Sequence, residues 1–168
     1  MDSPDKSHER DLYPVVKAWL RPLLETQFAS VHLEITADRT FSNTLKRMIA
    51  PERDIIFSFL KDAAPDLTGF VTGRKGDPYP RMEFLVVEVK NTPIRLDDIY
   101  QTRKYAEFFD AHHALLVSTH EVPEEIMRLS KVVYPLLAIP PYNKITFCRF
   151  SNAGNSVEWI PDDPFVKR

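Results

Sequence analysis

The stretch DLTGFVTGRKGDPYPRMEFLVVEVK, Asp66–Lys90, decides how this chain is read. Two apolar runs of strand length flank RKGDPYPR, whose glycine and prolines predict a hairpin connection. In the second run alternate residues share a face, so Phe84, Val86, Glu88 and Lys90 point one way while Val87 and Val89 point the other. That face is core at its start and charged at its end. Exposure at a strand end explains ordinary charges, but here an acid, Asp66, opens the first run. The start of one hairpin strand lies beside the end of the other, so Asp66 and Glu88 are predicted to converge.

Two carboxylates and the Val89 carbonyl make an oxygen-rich pocket of the kind that Mg²⁺ or Mn²⁺ occupies between protein and phosphate oxygens. Lys90 faces the same point. A lysine there stabilises charge developing on a phosphorus-bound oxygen, or positions or deprotonates an attacking water. The ion lowers the pKa of that water and neutralises the phosphate.

Working outward, Leu12, Val15, Val16, Trp19, Leu20, Leu23 and Leu24 recur at helical spacing between Glu9 and Phe28, which predicts a helix with one stripe on the core. Pro14 suits its first turn, and Pro22 is expected to kink or end it. VHLEIT, Val31–Thr36, alternates as a half-buried strand. Between Arg39 and Leu60, TLKRMI reads as a helical turn and DIIFSFL as either strand or short helix. After the hairpin, LDDIYQTRKYAEFFDAH predicts a helix capped around Asp97 or Asp98. ALLVST follows as a buried strand, VPEEIMRLSKVV as a short helix, and KITFCRF and SVEWI as strands around the turn SNAGN. The class is therefore α/β, with a mixed central sheet flanked by helices and extra strands at the C-terminal end.

Pro65-Asp66 followed by Glu88-Val89-Lys90, with a helix before, a hairpin carrying both halves and a helix and strand after, resembles the PD-(D/E)XK nuclease superfamily across roughly residues 9–120. Gln101 and Tyr105, four apart on one helix face, are similar to the QxxxY motif of its RecB-like branch. The resemblance implies a restriction-endonuclease-like core and a metal-dependent nuclease acting on DNA, or on RNA. Asp66, Glu88 and Val89 would hold Mg²⁺ or Mn²⁺, Lys90 would assist at the phosphate, and Gln101 and Tyr105 would support the site and contact nucleic acid. Glu9 resembles the glutamate near the start of the first helix in archaeal Holliday-junction resolvases, with Asp11 and Glu25 as substitutes and Glu34 as another contributor. A glutamate in a first turn also answers the helix dipole. Relatives that carry a four-cysteine iron–sulfur cluster differ from this chain, which has Cys148 alone. The alternative is a nuclease-like fold that binds nucleic acid or a protein partner without cutting.

With 168 residues, 43% hydrophobic and 27% charged, the chain suits one domain, residues 1–168, with a real core. Its one cysteine excludes an internal disulfide. MDSPDKSHER lacks the apolar run of a signal peptide, and Val132–Tyr142, the longest apolar stretch, is interrupted by prolines. A cytoplasmic protein without a membrane span is expected, with pairing into a homodimer to serve two strands. The net charge of −2 means that nucleic acid must be met by a local patch, for which Lys46, Arg47, Arg74, Lys75, Arg81, Arg103 and Lys104 are candidates. His112 and His113 lack zinc-ligand spacing, His8 and Cys148 suggest no chemistry, GRKG is too short for a phosphate-binding loop, and no Ser–His–Asp arrangement is legible.

Overall fold

A computed structural model describes residues 4–151 and 156–166, with side chains from residue 8 onward. Helix α1 runs over Pro4–Gln27 and leads directly into strand β1, Phe28–Ile35. Two short helices, α2 (Asn43–Met48) and α3 (Ile56–Phe59), lie on either side of a single 3-10 turn at Pro51–Arg53. The hairpin follows as β2 (Leu67–Arg74) and β3 (Met82–Lys90), then α4 (Leu96–Phe109) and β4 (His113–Ser118). Helix α5 (Glu124–Val132) leads to β5 (Ala138–Ile139), β6 (Asn143–Ser151) and β7 (Ser156–Ile160). Of the predicted turn SNAGN, residues 152–155 lie outside the described residues.

These strands build a mixed seven-stranded sheet in the order β1-β2-β3-β4-β6-β5, with β7 also paired to β6. The β1, β2 and β3 strands are antiparallel neighbours, whereas β3–β4 and β4–β6 are parallel pairs whose connections contain α4 and α5. At Gly69 a Cβ would clash with the His32 carbonyl oxygen of β1, so only glycine allows that approach.

Apolar side chains cover both faces. Val16, Leu20 and Leu24 of α1 pack with Leu85, Val87, Leu115 and Val117. On the other face Ile99, Ala106 and Phe109 of α4 pack with Phe84, Val86 and Leu116. That packing explains why α1 continues through Pro22, which was expected to kink or end it, and through Pro14, which lies well inside a helix that starts at Pro4 and not in its first turn. Each interior proline costs a helix about 3 kcal/mol. Val16, Leu20 and Leu24 are each fully buried and contribute about 2 kcal/mol apiece, with Leu12, Val15, Trp19 and Leu23 adding partial burial. Both prolines are exposed, so the carbonyls they deprive of a partner are on the side that water reaches. Among the described residues no helix is long and apolar enough to cross a membrane.

Candidate functional site

The hairpin register pairs Leu67 with Val87, which sets Asp66 opposite Glu88 one step further along. The Asp66 amide donates to Glu88 Oε1 at 3.3 Å, and the Val89 amide donates to Asp66 Oδ2 at 2.7 Å. A strand residue's N–H and C=O point to the same side, so the Val89 carbonyl is also directed toward the Asp66 edge. The turn after β1 fixes the other end of Asp66: the amides of Thr36 and Ala37 donate to its carbonyl at 2.8 and 3.2 Å, and Thr36 Oγ1 donates to the Pro65 carbonyl at 2.6 Å.

Lys90 Nζ lies 3.6 Å from Glu88 Oε2 and 3.9 Å from both Glu9 Oε1 and Asp98 Oδ1. Asp98 has a second role, since its Oδ2 accepts the Arg95 amide at 2.8 Å and so caps α4, which begins one residue ahead of Asp97. Tyr13 of α1 is buried, and its hydroxyl donates to Glu9 Oε1 at 3.4 Å and faces the Asp66 carboxylate, whose charge adds to burial in raising the phenol. It carries a single proton to give these two acids. As members of this cluster, neither Tyr13 nor Asp98 was apparent in the sequence, where Asp98 is read only as a helix cap. The four-residue step from Glu9 to Tyr13 was the available signal for the first, because it puts both on one face of α1.

Four carboxylates thus surround one ammonium. Asp66 and Glu88 are 7% and 1% exposed, and burial disfavours their charged forms. Asp66 is raised to about 6 by burial, although the Val89 amide, Lys90 and Tyr13 favour its anion. Glu88 is raised well above the usual glutamate value by burial and then by the Asp66 charge. Burial presses Lys90 down, but Glu88, Asp66, Glu9 and Asp98 outweigh it and hold the ammonium above the ordinary lysine value. Tyr105 is raised to about 12 by burial and by Glu88, so it keeps its proton at neutral pH. Gln101 Nε2 donates to its hydroxyl at 3.2 Å, as their spacing on α4 predicted.

Tyr13, Gln101 and Tyr105 line a cleft of about 800 Å³ between α1, the turn after β1, the segment before β2, and α4. The remaining candidates lie elsewhere. Glu25 pairs with Arg21 near the far end of α1. Glu34 is not a free surface acid: it accepts the Ser42 amide at 2.8 Å and hydroxyl at 2.6 Å and anchors the entry to α2. Arg74 is held by Glu83 and the Phe165 carbonyl, Lys75 by the Glu25 carbonyl, and Arg103 by Glu107. His113 bonds to Glu83 at 2.6 Å, and Cys148 is buried with its thiol pushed up to about 12.

Among the described residues no group of three or more His, Cys, Asp and Glu side chains is arranged to hold a metal ion. The donors that could hold an ion here are the Asp66 and Glu88 carboxylates with the Val89 carbonyl. That number suits Mg²⁺, which keeps several waters and takes one or two carboxylates together with phosphate oxygens. In comparisons with protein families, curated proteins and solved structures, nothing matches the chain.

Proposed function

We propose that this chain is a nuclease with a restriction-endonuclease-like core, which hydrolyses phosphodiester bonds of DNA with Mg²⁺ or Mn²⁺. The observation that carries the reading is the convergence of Asp66 and Glu88, the Asp66 amide donating to the Glu88 carboxylate and the Val89 amide to the Asp66 carboxylate, with Lys90 Nζ 3.6 Å from Glu88. The ion would be held by the Asp66 and Glu88 carboxylates and the Val89 carbonyl, and when bound it supplies a water of lowered pKa and neutralises phosphate charge. An excess of carboxylates over cations, buried and raised in pKa, is the electrostatic condition that a divalent ion relieves.

The protein's own groups divide the work. The surrounding carboxylates hold Lys90 above the ordinary lysine value, and as an ammonium it would stabilise charge that develops on the phosphate. Asp98 and Glu9 hold its ammonium in place. Tyr13 donates toward Asp66, which favours the anion needed at that position. Gln101 and Tyr105 form the wall of the cleft by which the substrate arrives.

The test is digestion of plasmid and oligonucleotide DNA with Mg²⁺ or Mn²⁺ by the wild type, Glu88→Ala and Lys90→Ala proteins. Cutting by the wild type that both substitutions abolish supports the mechanism, and equal cutting by all three sinks it. A second reading, a nuclease-like fold that binds nucleic acid or a protein without cutting, is favoured by one observation: Asp38 and Asp62 offset Arg10 and Arg39 along the cleft, which has no net positive charge. Calorimetry separates the two, since Mn²⁺ binding that Asp66→Ala abolishes supports the enzyme and no Mn²⁺ binding supports the module.

A further inference from the structure

The lip of the cleft carries an arginine that the proposed chemistry leaves unused. Arg39 lines the cleft, and its side chain is exposed, with no hydrogen-bond or ion-pair partner among the described residues. Its φ of 68° lies in the left-handed region, which glycine and asparagine enter cheaply and arginine does not. The turn holds it there through its backbone alone, because the Arg39 amide donates to the Thr36 carbonyl at 2.8 Å. Thr36 is in turn bonded to the Asp66 and Pro65 carbonyls. A short chain of backbone bonds therefore connects the arginine to the backbone of the predicted metal-holding aspartate. Such a connection fixes a distance better than a long side chain on a free loop does. The neighbouring acid is partly engaged in the same turn, since Asp38 Oδ1 accepts the Thr40 amide at 3.0 Å.

A guanidinium is a fork of donors matched to two phosphate oxygens at once. We propose that Arg39 grips a backbone phosphate of the nucleic-acid strand lying in this cleft, next to the phosphate presented to Asp66 and Glu88, and so sets the strand's register. This assignment rests on the nuclease reading for its ligand, and the backbone strain at Arg39 is its mark. Glycine or asparagine would make the same turn at a lower backbone cost, so the arginine side chain is kept there against that cost.

The experiment is fluorescence anisotropy of a fluorescein-labelled single-stranded oligodeoxynucleotide in Ca²⁺ over a salt series, with the wild type, Arg39→Gly and Arg39→Lys proteins. Arg39→Gly is expected to weaken binding about fivefold or more and to reduce the slope of log affinity against log salt by about 0.7, the loss of one phosphate contact on a single strand. Its melting temperature should stay level or rise, because glycine accepts the left-handed backbone. Arg39→Lys should keep the slope and lose part of the affinity, since charge remains without the fork. An Arg39→Gly protein with wild-type affinity and slope overturns the assignment, as does a wild type that does not bind the oligonucleotide. The nuclease reading is scored separately by cutting in Mn²⁺. Cutting with an unchanged slope removes Arg39 and leaves the nuclease, whereas a lost slope without cutting supports Arg39 as a grip on a strand that is bound and not cut.

Discussion

Strand β3 carries two glutamates into the interior, one near each end, and their surroundings shift the two carboxyls in opposite directions. Glu83 accepts Arg74 at 3.3 Å and His113 Nε2 at 2.6 Å. Burial raises its pKa, but these partners outweigh burial and hold the carboxyl at about 2. Rings of Phe28 and Phe165 close around this cluster, the Arg74 guanidinium lying 4.7 Å from the Phe28 centroid and the His113 ring 5.0 Å from Phe165. At the other end Glu88 faces a second buried carboxylate, Asp66, and shares Lys90 with Glu9 and Asp98. There burial and repulsion act together, and the carboxyl is raised well above its ordinary value. Desolvation is common to both glutamates, so the sign is decided by whether cations match the anions nearby. One end of the strand is balanced and stabilises the fold. The other holds surplus negative charge beside an open cleft, the condition expected of a site that acts on a ligand.

The sharpest test of this contrast is Glu88→Gln. On the proposed chemistry it should reduce Mn²⁺-dependent cutting by about a thousandfold or more, near 4 kcal/mol of transition-state stabilisation. The urea midpoint should hold or rise, because the amide avoids burying a charge and still accepts the Asp66 amide. A Glu88→Gln protein that cuts like the wild type breaks the contrast at its functional end. The mirror substitution, Glu83→Gln, should do the reverse. It leaves Arg74 and His113 without their carboxylate and should cost about 3 kcal/mol in urea unfolding, while cutting per folded molecule changes by less than about twofold. Little change in stability would mean that the balanced end does not hold the fold.

The two ends were unequally legible in the sequence. Strand β3 was predicted at its observed bounds, Met82–Lys90, because a long apolar run closed by a hairpin connector leaves little freedom. The opposition of Asp66 and Glu88 followed from hairpin geometry, and the Gln101–Tyr105 contact from helical spacing. What failed were features set by tertiary packing. Pro14 argued for a first turn and Pro22 for a kink or an end, and burial of the apolar stripe carries α1 through both. The segment between Arg39 and Leu60 stayed ambiguous because its helices have only six and four residues, too short to show a period. Glu83, Arg74 and His113 come from three strands, and the parallel β3–β4 register that brings His113 near Glu83 has no local signature. Tyr13 and Asp98 were hidden for a related reason, each being an ordinary helix residue until α1 and α4 are packed on opposite faces of the sheet.

Acid titration separates the two ends by sign. Asp66 is raised from its ordinary 3.8 to about 6 in the folded protein, so the native state binds the proton more tightly and stability falls as pH rises between those values. The gap corresponds to at most about 3 kcal/mol. Asp66→Asn should remove its share of that fall and make the decline between about pH 4 and 6 shallower, leaving the part due to Glu88. Glu83 is lowered from 4.5 to about 2, so its contribution is present above 4.5 and is lost as pH falls toward 2, and Glu83→Gln should remove that opposite slope. Urea unfolding across this range measures both. If the two variants changed the profile in the same direction, the ends of β3 would not differ in charge balance.

The smallest expected effect tests how finely the surplus-charge end is tuned. Tyr13 donates to Glu9 Oε1 at 3.4 Å and faces Asp66, and burial together with Asp66 keeps the phenol protonated well beyond its usual range. Its proton favours the Asp66 anion. Tyr13→Phe removes that donor while preserving the ring packed among the apolar residues of α1. The Asp66 pKa should then rise further, and the pH midpoint for Mn²⁺ binding should move upward by on the order of half a unit, the equivalent of one modest hydrogen bond. Stability should change by less than about 1 kcal/mol. Calorimetric Mn²⁺ titration at a series of pH values reads the midpoint directly. An upward movement identifies Tyr13 as a residue that positions and tunes Asp66, because loss of packing alone would lower stability without moving a titration. A midpoint that stays in place, with stability reduced, assigns the hydroxyl to α1 and leaves Asp66 governed by Val89 and Lys90.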